Sequence, residues 1–130
     1  MSLKISLKSG EKIIIDGAVI KNGKSRSDLF ILNNVPVLRE KDILSEKKAD
    51  SPARRIYFTI QLMYIDENNL KKSHGTYWKF VNEFINAAPG ALSLIDQISE
   101  NILQSRYYQA LQLTKRLIEY EKEVINCAIT

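Results

Sequence analysis

The stretch Asp50-Ser51-Pro52-Ala53-Arg54-Arg55-Ile56-Tyr57-Phe58-Thr59-Ile60-Gln61-Leu62-Met63-Tyr64-Ile65 marks the point where the chain changes period. Asp50-Ser51-Pro52 supplies an N-cap followed by proline at the first helical position, where a missing N–H costs nothing. The helix it opens, Ala53 to Ile65, carries Ile56, Tyr57, Phe58, Ile60, Leu62 and Met63 on nearly every side. Such a helix is covered by neighbours on most of its faces.

Upstream of this point the period is two. Leu3, Ile5 and Leu7 alternate with Lys4, Ser6 and Lys8, the pattern of a half-buried strand that Ser9-Gly10 ends. Ile13-Ile14-Ile15 is a β-branched run too short for a helix, and Asp16-Gly17 after it is a hairpin turn signal. Ala18-Val19-Ile20 follows, and Asn22-Gly23 reads as a second such turn. Leu29 to Leu32 and Val35 to Glu40 are the remaining strand candidates, with Pro36 restricting the latter to an edge or a strand start.

Downstream the period stays helical. Asp66 to Gly75 reads as a polar loop and Thr76 to Ala88 as a second helix, stopped by Pro89-Gly90. Leu92, Ile95, Ile98 and Ile102 mark a third helix. A fourth runs from about Arg106, with Tyr107, Ala110, Leu111, Thr114, Leu117, Ile118, Glu121, Val124 and Ile125 on one stripe. Strands first and helices second predict an α+β fold: a small antiparallel β module followed by about four α-helices. The expected division is a basic β module over 1–48 and a helical region over 49–130 packing on it as one compact unit. Some 45 residues of β structure bury too little core alone, so the helices are expected to cover the sheet. A homodimer, if formed, is expected to use surfaces and not exchanged strands, although the edge at Leu3–Lys8 looks free to pair.

At 130 residues and 45% hydrophobic the chain can bury one real core. Residues 1–48 hold ten Lys and Arg against six Asp and Glu, whereas 49–130 hold nine of each. The basic excess is therefore segregated, and a segregated charge asks for an acidic partner or else coats a solvated surface. No apolar run approaches a membrane span, no secretory signal opens the chain, and Cys127 has no second cysteine to pair with. A cytoplasmic protein that does not engage a membrane is expected.

The sequence points away from catalysis. Its single histidine, His74, lies in the polar segment, and a nucleophile paired with it would have to be Cys127 or an unmarked serine. One Cys and one His make no metal cluster, and neither phosphate-binding glycine motif is present. No catalytic residue, metal or cofactor is expected. A binding module remains, with Lys4, Lys8, Lys12, Lys21, Lys24, Arg26, Arg39 and Lys41 interleaved through the β segment. Such a surface can track a phosphate backbone by counterion release. Phe30 is the only aromatic before Tyr57, so a stacking platform is disfavoured and readout would fall to arginine and base edges.

Several blocks carry a resemblance across essentially the whole chain. They are Gly10 to Ile15, Gly17 to Gly23, Val35 to Leu44, Arg55 to Phe58, Gln61 to Tyr64, Ala87-Ala88-Pro89 and Tyr107 to Leu111. In this order the chain resembles the FlbT family. The resemblance implies a post-transcriptional regulator of flagellin that acts on the flagellin mRNA 5′ leader and works with the small protein FlaF. A second resemblance covers residues 1–46 alone: strand, Gly10-Glu11, apolar run, turn, and Val35-x-Val37-x-Arg39-Glu40-x-x-Ile43 look like CsrA, a β-rich mRNA-leader-binding repressor that interleaves strands from two chains. That likeness implies an RNA site on the first strand and the last-strand arginine, which land on Leu3, Lys4, Ile5 and Arg39. The chain departs from it at Ser6-Leu7-Lys8, where CsrA has a basic pair, and in its shorter middle strands.

The expected RNA-binding residues are Leu3, Lys4, Ile5, Lys8 and Arg39, and the expected partner-binding residues are Tyr107, Tyr108 and Leu111. Each has a plainer reading beside it. Arg39 would form a surface ion pair with Glu40, Asp42 or a helix carboxylate, and the tyrosines would be core or interface anchors. The leading function is control of flagellin mRNA; the alternative is an adaptor whose helices bind FlaF or flagellin without touching RNA.

Overall fold

The computed structural model describes residues 3–129, with side chains through residue 125. The Cys127 side chain lies outside the described ones. The fold is α+β, with five strands leading and four helices following. The chain divides into two compact units, Met1–Ile43 and Leu44–Thr130.

The first unit contains β1 (Leu3–Leu7), β2 (Lys12–Ile15), β3 (Ala18–Lys21), β4 (Ser27–Ile31) and β5 (Val37–Arg39). They form a two-stranded sheet, β1 with β4, and a three-stranded sheet ordered β3-β2-β5. All pairings are antiparallel. The period-2 pattern works as expected: Ile5, Leu7 and Ile13 are buried together, and Ile15, Leu29, Ile31 and Val37 pack against them.

The Asp16-Gly17 turn is tight: both residues take positive φ, 50° and 85°, a two-residue hairpin geometry whose twist matches that of the flanking strands. Asn22-Gly23 departs from expectation. It closes no hairpin, because β4 crosses to pair with β1 while β3 stays with β2. The Asn22 amide instead donates to the carbonyls of Leu7, Lys8 and Ser25 at 3.3, 2.8 and 3.0 Å, tying three segments together. Pro36 precedes β5 and its carbonyl accepts from the Asp16 N–H at 2.8 Å, so the proline serves the sheet through the group it retains.

The second unit contains α1 (Pro52–Ile65), α2 (Leu70–Ala87), α3 (Leu92–Leu103) and α4 (Tyr107–Ile129). Ser51 caps α1 by accepting from the Arg54 N–H at 3.2 Å. α1 buries Ala53, Ile56, Tyr57, Thr59, Ile60, Gln61 and Met63, the wide coverage its composition predicts. Its Gln61 amide holds the entering chain, accepting from the Leu44 N–H at 2.8 Å and donating to the Leu44 carbonyl at 2.9 Å.

The polar loop expected over Asp66 to Gly75 is mostly helix. A short 3-10 turn at Glu67–Asn69 leads into α2, which begins at Leu70 and runs through His74 and Gly75. The residue this first stretch turns inward is the small Ser73, so no apolar stripe announces it. No helix among the described residues is long and apolar enough to cross a membrane.

Candidate nucleic-acid interface

In the β unit, the turn after β1 and the end of β5 border a cleft of about 640 Å³. Four cations line it, Lys8, Arg26, Arg39 and Lys41, together with the carboxylates of Glu11 and Glu40. The β pairings create it, since Arg39 stands opposite Ile13 in the β2–β5 ladder while β1 presents Ser6 from the other sheet.

Arg39 is held from two sides. Its Nη2 donates to the Ser6 carbonyl at 2.8 Å and approaches Glu11 Oε2 at 3.5 Å, with the arginine side chain 40% exposed and the glutamate 14%. The Lys8 N–H donates to Glu11 Oε1 at 2.9 Å. That backbone bond, more than the neighbouring Arg39 and Lys8 charges, holds the Glu11 carboxyl below the usual carboxylate range against a partial loss of hydration. The turn beneath it is cross-braced: Gly10, in the left-handed region at φ 70°, donates to the Gly23 carbonyl at 3.0 Å, and the Asn22 N–H donates to the Glu11 carbonyl at 2.8 Å. Glu40 accepts from the Lys12 N–H at 3.3 Å. Both acids are therefore engaged as acceptors from the protein itself, and the cleft faces outward with a surplus of donors.

Of the residues expected to bind RNA, Lys8 and Arg39 meet in this cleft. Lys4 lies on the face of β1 that carries Ser6, bonded to Asp28 at 3.8 Å across an exposed pair worth little in water. Leu3 is exposed at the start of β1. Ile5 is 3% exposed and belongs to the core, so its expected contact with a ligand is corrected: period 2 sends it to the face opposite Lys4. Arg26 and Lys41 join the cleft without a local signal, since only the crossing of β4 onto β1 brings residue 26 beside residues 8 and 39. Phe30 is 61% exposed, directly opposite Lys4 in the β1–β4 register, one cross-strand step along the same face from Ser6 and Asp28.

In the helical unit, Tyr107 is half-buried and its hydroxyl lies 3.2 Å from His74 Nε2, with the rings edge to face. The only histidine is thus a packing partner between α2 and α4. Tyr108 is exposed beside Tyr64, ring centroids 6.1 Å apart. Leu111 is fully buried, so it cannot stand on the partner-binding surface it was expected to share with Tyr108; the α4 stripe carries it inward with Ala110, Thr114 and Leu117. Further along, that stripe emerges: Val124 and Ile125 are exposed and line a groove of about 260 Å³ with Phe80, Phe84 and Tyr120.

Comparison with known proteins gives a consistent picture. Residues 3–125 match the family described as "Flagellar protein FlbT". The chain is 42% identical over 125 residues to the "Flagellum biosynthesis repressor protein FlbT" of Caulobacter vibrioides, covering 95% of this chain and 89% of that one. It is 41% identical over 125 residues to a probable flagellum biosynthesis repressor of Bradyrhizobium diazoefficiens, covering 95% and 85%. A further probable repressor, from Rhodopseudomonas palustris, is 36% identical over 126 residues, covering 97% and 99%. No solved structure matches the chain.

Proposed function

The chain belongs to the FlbT family of flagellar proteins, and from that membership we propose that it represses flagellum biosynthesis by holding the 5′ leader of flagellin mRNA in the basic cleft of its β unit. The observation that carries this reading is the convergence of Lys8, Arg26, Arg39 and Lys41 on one braced cleft. Eight Lys and Arg against five Asp and Glu over residues 1–43 add a positive field around it. Cations spaced along a cleft suit a phosphodiester backbone, and Phe30 offers one exposed ring on which an unpaired base can stack beside Lys4. The protein acts in the cytoplasm, where that message is translated.

Filter binding of the full chain to a flagellin leader RNA across a salt series tests this. The Lys8→Gln, Arg26→Gln, Lys41→Gln triple variant leaves the Arg39 bonds intact. Its log–log salt slope should be shallower than wild type by about 2, at roughly 0.7 per lost phosphate contact on single-stranded RNA. A wild-type slope and affinity would remove the cleft from consideration.

A second reading is favoured by the exposed apolar residues of the helical unit. Tyr108 and the groove at Val124 and Ile125 suit an apolar segment of a FlaF-like protein or of flagellin. Retention of FlaF by the full chain without RNA, lost in Tyr108→Ala, supports that adaptor role.

A further inference from the structure

The second hairpin strand of the β unit is unusually bare. All four residues of β3 are exposed, including Val19 at 69% and Ile20 at 37%, and β2 is its only strand partner among the described residues. Neither proline nor bulge protects the open side, and a β-branched edge of this kind is a template for another strand.

The hydrogen-bond parity of that edge follows from the turn. With positive φ at both Asp16 and Gly17, Ile15 and Ala18 close the hairpin as a hydrogen-bonded pair. Alternation then makes Ile13 with Ile20 and Glu11 with Asn22 the next bonded pairs, and the 2.8 Å bond from the Asn22 N–H to the Glu11 carbonyl has this parity. Ala18, Ile20 and Asn22 therefore spend their backbone groups on β2. Val19 and Lys21 aim theirs outward.

We propose that β3 pairs antiparallel with β3 of a second copy of this chain, Val19 of each bonding to Lys21 of the other about a twofold axis at Ile20. Only Val19 and Lys21 offer outward donors and acceptors, and a symmetric pair joining them must be centred on the residue between. The two Ile20 side chains then meet as a close non-hydrogen-bonded pair, which buries an isoleucine that one chain leaves exposed. Antiparallel pairing also brings the turn that carries Asp16 in each copy towards the end of β3 that Lys24 follows in the other, so opposite charges lie near both ends of the joint. Such an interface is isologous and closed, adding one patch to itself without exchange of strands. The acidic and basic ends match only in this antiparallel sense. The cleft borders β5, on the opposite side of β2 from β3, so each copy keeps its own.

The test uses the full chain. Sedimentation velocity should show a concentration-dependent dimer. Val19→Pro removes an outward N–H that β2 does not use, so circular dichroism should be retained while the sedimenting species becomes monomeric. In a Cys127→Ser background, Ile20→Cys should form a disulfide-linked dimer under mild oxidation, because paired residues at this type of site have Cα atoms about 4.5 Å apart. Ala18→Cys is the control, since its two copies would lie roughly 13 Å apart along the strands. A wild-type chain that stays monomeric up to its solubility limit overturns the proposal. So does a folded Val19→Pro dimer, or an Ile20→Cys chain that links no faster than Ala18→Cys.

Discussion

The carboxylate of Glu121, on the last helix, accepts a hydrogen bond from the backbone N–H of Ala53, at the first turn of α1, at 2.8 Å. The first N–H groups of a helix have no partner within it, and a negative charge there also meets the positive end of the helix dipole. Glu121 is 8% exposed, so it acts away from the screening of bulk water. Glu121→Ala should lower the unfolding free energy by about 1.5–3 kcal/mol, the range for hydrogen bonds to charged groups. Glu121→Gln, which keeps an acceptor but not the charge, should lose less. Urea unfolding midpoints of the two variants decide it, and equal losses would show that the stabilisation rests on the charge alone and not on the acceptor oxygen or on packing.

Glu11 should contribute to the acid limb of the β unit. Its carboxyl is held below its ordinary value of 4.5, chiefly by the Lys8 N–H. A depressed carboxyl contributes stability that is fully present above that ordinary value and is lost as pH falls through the lower folded value. Glu11→Gln should flatten the loss of stability below about pH 4.5. It also removes one negative charge from the cleft, so leader RNA should bind several-fold more tightly at equal salt, read by filter binding at neutral pH.

Tyr77 should mark the alkaline limb. It is buried with its hydroxyl 2.8 Å from Ser99 Oγ, and burial pushes its phenol up to about 12 from an ordinary 10. A raised folded value means that its contribution is complete below pH 10 and fades as pH climbs toward 12. Tyr77→Phe should therefore cost about 1 kcal/mol at neutral pH through the lost hydrogen bond, yet show a shallower decline above pH 10. Thermal unfolding at neutral and alkaline pH separates the two effects.

Tyr108 and Leu111 sit one helical turn apart on α4 and should behave oppositely. Leu111→Ala opens a cavity in a fully buried site and should cost about 2–5 kcal/mol. Tyr108→Ala, at 40% exposure, should cost under about 1 kcal/mol while weakening any protein partner held at Tyr64 and Tyr108. Denaturation midpoints together with pull-down of a FlaF-like protein distinguish a packing role from a docking role.

Local pattern was a sound guide wherever one interaction range dominated. The α1 composition announced a helix covered on most sides, and the alternation of Leu3 to Lys8 announced a strand with Ile5 and Leu7 inward. It misled at Asp66 to Gly75, where an inward serine and a histidine bonded to Tyr107 replaced the apolar residues that normally reveal a helix face. At Ile5 the local pattern is the better guide: the CsrA likeness puts this residue at a ligand, whereas period 2 sends it to the core.

What the sequence by itself determined is the type of each main element, the α+β order and the segregation of charge, since backbone periodicity and residue counts are local properties. Which charges act together was decided only by the tertiary structure. Arg39 reaches the Ser6 carbonyl across 33 residues and Asn22 ties Leu7 to Ser25, contacts that depend on β4 leaving β3 to pair with β1. Strand pairing of that kind joins positions by hydrogen bonds between backbones, and every residue offers the same backbone. The side chains of β3 and β4 therefore carry no local mark of the partner each strand takes, and the cleft exists only once those partners are chosen.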